Sequence, residues 1–374
     1  MVSLIVKATE DCNSNCIYCE GAHKKPGATS LSLSAVACML ERIDEFLTVH
    51  SEEQAEILWH GGEPMLRGPG FFSQVNAMQN GICTGTRTRI RHGIQSNLNC
   101  LDESFLEPFA ELGITSIGTS FDPEPHVRGP GPGIDTDSYN RLFMNGIAVL
   151  ERNQIPWSLI YVVTRHSLKA PLQVFWLLTN LQLAGSITLN PVIVHDQRLR
   201  DISMSPADYA AFLDAVLPVW WTHRHRYPGL EPLSQVARGM KEQDFPIDGL
   251  NLGACGPSLR NLEIGADGLV YSIGLPEMGG HRLCGSIATS PLEDALRTNQ
   301  AFEINSRLSS LASAACTQCP IRRQCHGDTP KEAARERNSF VLPSEWCEAR
   351  VWLVDRLSRM SNAETGSPAS TARP

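Results

Sequence analysis

The feature that most constrains the fold is the alternation of short apolar strands with amphipathic helical segments through the N-terminal part of the chain. Strands that are separated by helices pair in parallel, because only a crossover connection returns the chain in the same direction. Six strands are predicted, a number that fits a partial (β/α)6 barrel better than a complete one. They are Leu4–Ala8, Ile57–His60, Arg89–Ser96, Ser116–Ser120, Trp157–Thr164 and Ser186–Asn190.

The helices that join these strands have recognisable start signals. Ser32 precedes apolar residues at helical spacing, and Ser205 is a cap followed by Pro206 at the first helical position. These helices supply the crossovers that a parallel sheet requires. Further helices are predicted at Asp102–Leu112, Asp137–Arg152 and about Leu172–Leu181.

The pattern changes after about residue 235, where glycines mark a loop-rich stretch. One hairpin is predicted there, Asn261–Ile264 against Leu269–Ile273. We therefore expect a barrel domain at residues 1–235 and a smaller domain, held partly by metal, at 236–350. Residues 351–374 are expected to hold a helix end and a tail that is disordered from about Ser361.

The composition excludes several classes of partner. A formal charge of -8 gives no broad basic surface, so neither nucleic acid nor an anionic membrane is expected. No stretch approaches the ~20 apolar residues of a membrane span, and no secretory signal is apparent, so a cytoplasmic location is expected. The twelve cysteines are unevenly placed, with tight groups near both ends of the sequence, and this pattern indicates metal ligation in a reducing compartment.

The first cysteine group places three thiols directly after the first strand, at Cys12, Cys16 and Cys19. Three thiolates satisfy three irons of a [4Fe-4S] cluster and leave the fourth iron open to another ligand. A zinc loop completed by a distant residue is the alternative. After the second strand stands Gly61-Gly62-Glu63-Pro64, whose glycines let the backbone approach a ligand closely.

Together the two segments resemble the radical S-adenosylmethionine (radical SAM) superfamily, whose cysteine motif has an aromatic residue before its last cysteine, here Tyr18. The resemblance implies that SAM occupies the open iron, beside the ends of the strands of a partial TIM barrel. For Ser96 and Ser120 the alternative is an ordinary turn role at a strand end. The SAM-binding residues that the resemblance implies are Tyr18, Gly61, Gly62, Glu63, Pro64, Ser96, Asn97, Ser120 and Asn190.

The second cysteine group resembles the cysteine-rich SPASM domain of peptide-modifying radical SAM enzymes. Such domains usually hold an inner and an outer auxiliary cluster. Ile273 and Thr329 stand where relatives have cysteine ligands of the inner cluster, so the resemblance implies one auxiliary [4Fe-4S] cluster, in the outer position. A zinc site is the alternative. The implied ligands are Cys316, Cys319, Cys325 and Cys347.

Two cysteines and two loop residues remain as candidates for a catalytic role. Cys255 and Cys284 are candidates for a hydrogen-atom donor or a substrate-linked thiol, with simple buried packing as the alternative. Sulfatase maturases carry an acidic base where this chain has Gly274, which disfavours formylglycine formation. Glu277 and His281 are candidate replacements for that base, although most such loop groups are solvated.

Over residues 4–350 the chain resembles anaerobic sulfatase maturases and radical SAM peptide maturases. The resemblance implies an electron from flavodoxin or ferredoxin, cleavage of SAM to a 5′-deoxyadenosyl radical, and abstraction of a substrate hydrogen. The favoured substrate is a ribosomally made precursor peptide, crosslinked as a cyclophane or thioether. The alternatives are a small-molecule dehydrogenase or epimerase acting on a sugar or aminocyclitol, and an electron carrier, which would not need a SAM pocket.

Overall fold

Strands and helices alternate along most of the chain. The structure is a computed structural model that describes residues 1–19, 29–129, 135–181, 185–192, 197–241, 259–273, 282–322 and 345–365. The strands are β1 (Val2–Thr9), β2 (Ala55–Gly61), β3 (Ile90–Ser96), β4 (Ile117–Ser120), β5 (Trp157–Val163), β6 (Ile187–Pro191), β7 (Leu230–Glu231), β8 (Asn261–Ile264), β9 (Leu269–Ser272) and β10 (Leu283–Ser286). The helices are α1 (Leu33–Val49), α2 (Pro69–Ile82), α3 (Leu106–Leu112), α4 (Thr136–Arg152), α5 (Pro171–Asn180), α6 (Pro206–His223), α7 (Leu233–Lys241), α8 (Leu292–Leu311), α9 (Ala314–Thr317) and α10 (Cys347–Thr365). Short 3-10 helices are Pro64–Arg67, Arg87–Arg89, Glu103–Phe105, Ser167–Lys169 and Gln197–Asp201.

The described strands form one sheet in the order β10-β9-β8-β1-β2-β3-β4-β5-β6-β7. In this order, each neighbouring pair from β8 to β7 is parallel. The β8–β9 and β9–β10 pairs are antiparallel. The predicted α/β class, the six parallel strands and the hairpin are confirmed. The sequence does not predict β7, because two residues are too few to give a periodic pattern.

The two faces of the parallel sheet differ in exposure. Val2, Leu4 and Val6 of β1 are fully buried and belong to the hydrophobic core, which also contains the inner side of α1. The alternate residues of β1 are partly exposed, and β5 has the same alternation. In the part of the chain that the structure describes, one face of these strands therefore packs under helices and the other remains accessible.

Two helices begin at the capping serines that the sequence predicts. Ser32 caps α1 by accepting the N–H of Ala35, and Ser205 and Asp208 form a complete capping box at α6. The sequence does not predict α2, whose cap is Gly68 with no side-chain hydrogen bond. Pro69 stands at the first position of α2, so one start signal was present in the sequence although the side-chain cap was missing.

The last helix, α10, corrects the expected start of the disordered tail. Residues 361–365 are helical, although the sequence predicts disorder from about Ser361. Glu364 accepts hydrogen bonds from Trp221 Nε1 at 2.8 Å and from Arg224 Nη2 at 2.9 Å, which hold the end of α10 against α6. Among the described helices, none combines the length and apolar content that a membrane crossing needs.

Replacement of Gly146 by alanine should destabilise the fold, although alanine favours helices. A Cβ at Gly146, on α4, would lie 2.7 Å from Leu98 Cβ and 2.8 Å from Leu98 O. We expect G146A to cost about 1–3 kcal/mol of unfolding free energy through overpacking. Gly81, on α2, has open space around its Cβ position, so G81A should gain up to ~1 kcal/mol. Urea unfolding of both variants checks this, and equal effects would contradict the packing argument.

Candidate functional site

The carboxyl ends of the parallel strands bring the predicted site residues to one edge of the sheet. The cysteine loop, residues 10–19, follows β1, and Gly62 directly follows β2. Asn97 follows β3, Ser120 ends β4, and Asn190 lies near the end of β6. Because parallel strands end on the same side, these residues form one candidate site, where barrels of this class place their chemistry.

The backbone of the cysteine loop is paired with a distant segment of the chain. Asn15 and Ile17 donate their N–H groups to carbonyl oxygens in segment 127–129, at 2.7 and 3.0 Å. Cys16 lies between these two hydrogen bonds and therefore stands opposite Arg128. Segment 127–129 thus fixes the path of the loop at its central cysteine.

The three cysteines of this loop differ in exposure. Cys16 is buried, while Cys12 and Cys19 are exposed, and Cys19 N donates to Cys16 O at 3.1 Å in a tight turn. Burial raises the pKa of Cys16 to about 11, against the opposing effect of the Arg128 guanidinium. Because a metal ligand must be a thiolate, metal binding at Cys16 has to displace a proton.

The donor set of the cysteine loop is the three thiols of Cys12, Cys16 and Cys19. In a [4Fe-4S] cluster each cysteine binds a different iron, so the three sulfur atoms need not converge. Zinc, in contrast, requires its ligands to surround one point.

The two glycines after β2 allow the backbone to pack against the start of the cysteine loop. A Cβ at Gly61 would lie 2.2 Å from Thr9 O, and one at Gly62 would lie 2.0 Å from Asp11 O. The N–H groups of Gly62 and Glu63 donate to these same carbonyls, each at 2.8 Å. Gly61 also has a φ of +125°, which disfavours any side chain. The close approach that the glycines permit is therefore to the chain itself.

Glu63 connects this turn to the end of β3. Its side chain is 1% exposed, and its carboxylate accepts from Met65 N at 2.9 Å, Ser96 Oγ at 2.8 Å and Asn97 N at 2.8 Å. Burial raises the pKa of Glu63 to about 6, while the three hydrogen bonds favour the ionised form. Glu63 is thus a buried organising residue of the site.

Asn97 and Asn13 connect the end of β3 to the cysteine loop. Asn97 Nδ2 donates to Asn13 Oδ1 at 2.7 Å and to Ser14 Oγ at 3.0 Å, and it lies 3.9 Å from Cys12 Sγ. Asn13 Nδ2 in turn donates to Cys100 Sγ at 3.0 Å. Cys100 therefore packs directly against the cysteine loop.

Tyr18 belongs to a buried polar network at the end of β4. Its hydroxyl donates to the carboxylate of Asp122, which also accepts from Arg128 Nε at 2.5 Å and Val162 N at 2.6 Å. Arg128 Nη1 donates to Tyr139 Oη at 2.9 Å. The Asp122 side chain is 0% exposed and that of Arg128 7%, so a complete ion pair lies behind the cysteine loop.

The remaining predicted residues divide into internal and accessible ones. Pro64 is buried at the start of a short 3-10 helix, and Ser96 Oγ is engaged with Glu63. Ser120 Oγ accepts from Gln95 Nε2 at 3.3 Å and is partly exposed, while Asn190 is exposed. Ser120 and Asn190 are therefore accessible to a ligand at the open face of the sheet.

The described C-terminal cysteines repeat the turn of the N-terminal loop. Cys316 lies on α9, and Cys319 N donates to Cys316 O at 3.2 Å, as in the Cys16–Cys19 turn. Cys347 is the first residue of α10. Cys325, the fourth predicted ligand, lies outside the described residues.

Of the candidate catalytic residues Cys255, Cys284 and Glu277, only Cys284 lies among the described residues. Cys284 lies on β10, is 8% exposed and packs in the hydrophobic core, with its Sγ donating to Arg282 O at 3.3 Å. This setting favours the packing role for Cys284. Cys255 and Glu277 lie outside the described residues.

Sequence reasoning did not select Asn13, Asp122 or Arg128 as site residues. Asp122 directly follows a predicted strand, which is the position where site residues of barrels occur, so this signal was available. Arg128 lies between proline- and glycine-rich segments that show no periodicity. Its role depends on contacts with residues far away in the sequence.

Comparison with curated proteins identifies distant relatives. An uncharacterized protein of Methanocaldococcus jannaschii is 28% identical over 177 residues, 45% of this chain and 55% of that protein, so the match spans about half of that relative. The serine-type anaerobic sulfatase-maturating enzyme of Bacteroides thetaiotaomicron is 22% identical over 321 residues, 78% of this chain and 73% of the enzyme. The cysteine-type enzyme of Clostridium perfringens is 20% identical over 356 residues, 93% and 94% of the two chains. No protein-family model matches the sequence.

Solved structures share the fold over almost the whole chain. Native anSMEcpe with bound AdoMet has a TM-score of 0.79 at 18% identity, covering 97% of this chain and 100% of that chain. The same protein with AdoMet and the Kp18Cys peptide has a TM-score of 0.77 at 18% identity, covering 96% and 99%. Streptococcus suis SuiB bound to the precursor peptide SuiA has a TM-score of 0.56 at 15% identity, covering 87% and 71%. The predicted resemblance to anaerobic sulfatase maturases is confirmed by these relatives, and the solved structures confirm the fold.

Proposed function

We propose that this chain is a radical SAM enzyme that holds a [4Fe-4S] cluster at Cys12, Cys16 and Cys19. The observation that carries the proposal is the set of hydrogen bonds that joins the cysteine loop to the turn after β2 and to the end of β3. Three cysteine thiols on a loop of fixed path, at the carboxyl edge of a parallel sheet, fit a cluster with one open iron. When bound, the cluster and SAM supply a 5′-deoxyadenosyl radical that abstracts a hydrogen atom from the substrate.

The protein's own residues orient the ligand at this edge. Gly61 N donates to His60 Nδ1 at 2.7 Å, so Nδ1 is an acceptor and the neutral ring carries its proton on Nε2. Burial and the nearby Lys7 lower the pKa of His60, which keeps the ring neutral. His60 Nε2 is therefore a donor, and the accessible Ser120 and Asn190 add further hydrogen-bonding groups.

We infer a peptide substrate. Two of the structures with this fold hold a peptide, anSMEcpe with Kp18Cys and SuiB with SuiA. The proposed reaction crosslinks a ribosomally made precursor peptide, with an electron from flavodoxin or ferredoxin and within the cytoplasm, where thiols stay reduced. Cys255 and Glu277 remain the candidates for a thiol hydrogen donor and a base in this reaction.

Four C-terminal cysteines are proposed to hold a second cluster. Cys316 lies on α9, Cys319 follows that helix, Cys347 begins α10, and Cys325 completes the set in the sequence. The repeated Cys-x2-Cys turn supports metal ligation, and a fully cysteine-ligated cluster suits electron transfer better than substrate binding.

The first test is iron content after anaerobic reconstitution. We expect roughly eight irons per chain, from two [4Fe-4S] clusters. The triple variant C12A/C16A/C19A should lose about four irons and all reductive cleavage of SAM, measured as 5′-deoxyadenosine. The matched control C38A, on α1, should keep both. SAM cleavage by the triple variant would refute the proposed function.

The auxiliary cluster has its own test. The double variant C316A/C319A should also lose about four irons but should keep SAM cleavage, because the SAM site lies on the N-terminal loop. Iron analysis is combined with zinc analysis. About four irons and one zinc in the wild-type protein would assign the C-terminal cysteines to zinc, and about twelve irons would indicate an inner cluster with non-cysteine ligands.

A further inference from the structure

The buried ion pair behind the cysteine loop has no role in the chemistry described so far. We define the arginine network as Tyr18, Asp122, Arg128 and Tyr139. We infer that Arg128 is a positioning residue for the N-terminal cluster: the network locks the loop at Cys16, and the guanidinium charge favours the reduced state of the cluster. This inference rests on the proposed function, because it assigns a role toward the cluster that Cys16 would ligate.

The first support is the double attachment of the loop. Two backbone hydrogen bonds, from Asn15 and Ile17 to segment 127–129, bracket Cys16. The side chain of Tyr18 provides the second attachment, since its hydroxyl donates to Asp122, the carboxylate that also accepts from Arg128. Movement of Cys16 would therefore break contacts at the backbone and at a buried charged group.

The second support is the fixed orientation of the guanidinium. Arg128 donates from Nε to Asp122 and from Nη1 to Tyr139, and its guanidinium carbon lies 5.4 Å from the Tyr18 ring centroid and 5.5 Å from that of Tyr139. Tyr139 in turn donates to the carbonyl of Ser120 at 2.9 Å. The planar guanidinium is thus held by Asp122, just after β4, by Tyr139 on α4 and by Tyr18 of the loop.

The third support is the position of the buried guanidinium beside the loop. Arg128 stands opposite Cys16 between two backbone hydrogen bonds, and its guanidinium carbon lies 5.4 Å from the ring of Tyr18, two residues after Cys16. A cluster becomes more negative when it is reduced, and a buried positive charge nearby stabilises that state. The arrangement should therefore raise the reduction potential of the N-terminal cluster.

The test separates the locking effect from the charge effect. It uses the reconstituted full-length protein and measures iron loss to a chelator, together with the midpoint potential of the iron signal that changes when SAM is added. Y18F removes one hydroxyl and should speed iron loss about tenfold without changing the potential. R128K keeps the charge but loses the fork, and it should behave in the same way.

The charge effect is tested with D122N/R128M, which removes both buried charges and leaves neither unpaired. We expect faster iron loss and a more negative midpoint potential in this variant. The matched control is R89K, which alters an arginine that donates to four carbonyl oxygens at the opposite end of the strands. R89K should match the wild-type protein in both measurements.

The outcomes distinguish the two proposals. Wild-type rates of iron loss in Y18F and R128K would overturn the locking role, and an unchanged potential in folded D122N/R128M would overturn the charge role. If D122N/R128M does not fold, as judged by its melting temperature, Y18F and R128K still decide the locking role, and a more negative potential in R128K would contradict the charge argument. A wild-type protein without a SAM-sensitive iron signal would instead refute the proposed function.

Discussion

The candidate site depends on the close backbone contact between the turn after β2 and the start of the cysteine loop. Gly62 and Glu63 donate to carbonyls of the loop, and the space left by the missing glycine side chains is already filled by those carbonyl oxygens. Any larger residue at Gly62 would have to push Asp11 away, and the cysteines that follow would move with it. The pair Gly61 and Gly62 therefore sets the position of the cysteine loop before any ligand binds.

Buried charge is the second constraint on the loop, and it is distributed unevenly. Burial raises the pKa of both the Cys12 and the Cys16 thiol. The charge of Glu63 raises the pKa of Cys12 further, whereas the charge of Arg128 opposes the rise at Cys16. Each charge is compensated locally, Glu63 by three hydrogen bonds and Arg128 by Asp122, so neither is left as an isolated buried ion. The loop thus lies between a negative and a positive group that are both fixed by strand ends.

The sequence predicted the parallel strands and the cysteine motif because both are local patterns. Periodic apolar residues identified the strands, and the spacing of Cys12, Cys16 and Cys19 identified the loop. Sequence reasoning missed α2, whose only start signal is Pro69, and the helical end of α10, which depends on contacts with α6. In the site, the motif identifies Glu63, but it does not reveal that the Glu63 carboxylate accepts hydrogen bonds from Ser96 and Asn97, because these two partners lie far away in the sequence.

Because sequence patterns are local, they did not identify Arg128, although it stands opposite the central cysteine, Cys16. An arginine without a periodic context has no signature, and its partners Tyr18 and Tyr139 lie on either side of it in the sequence. Only the parallel sheet brings them together, because β1 and β4 end at the same edge. A loop that must hold three thiols in register has few contacts of its own, so the rigidity it needs has to come from residues such as these on neighbouring strands.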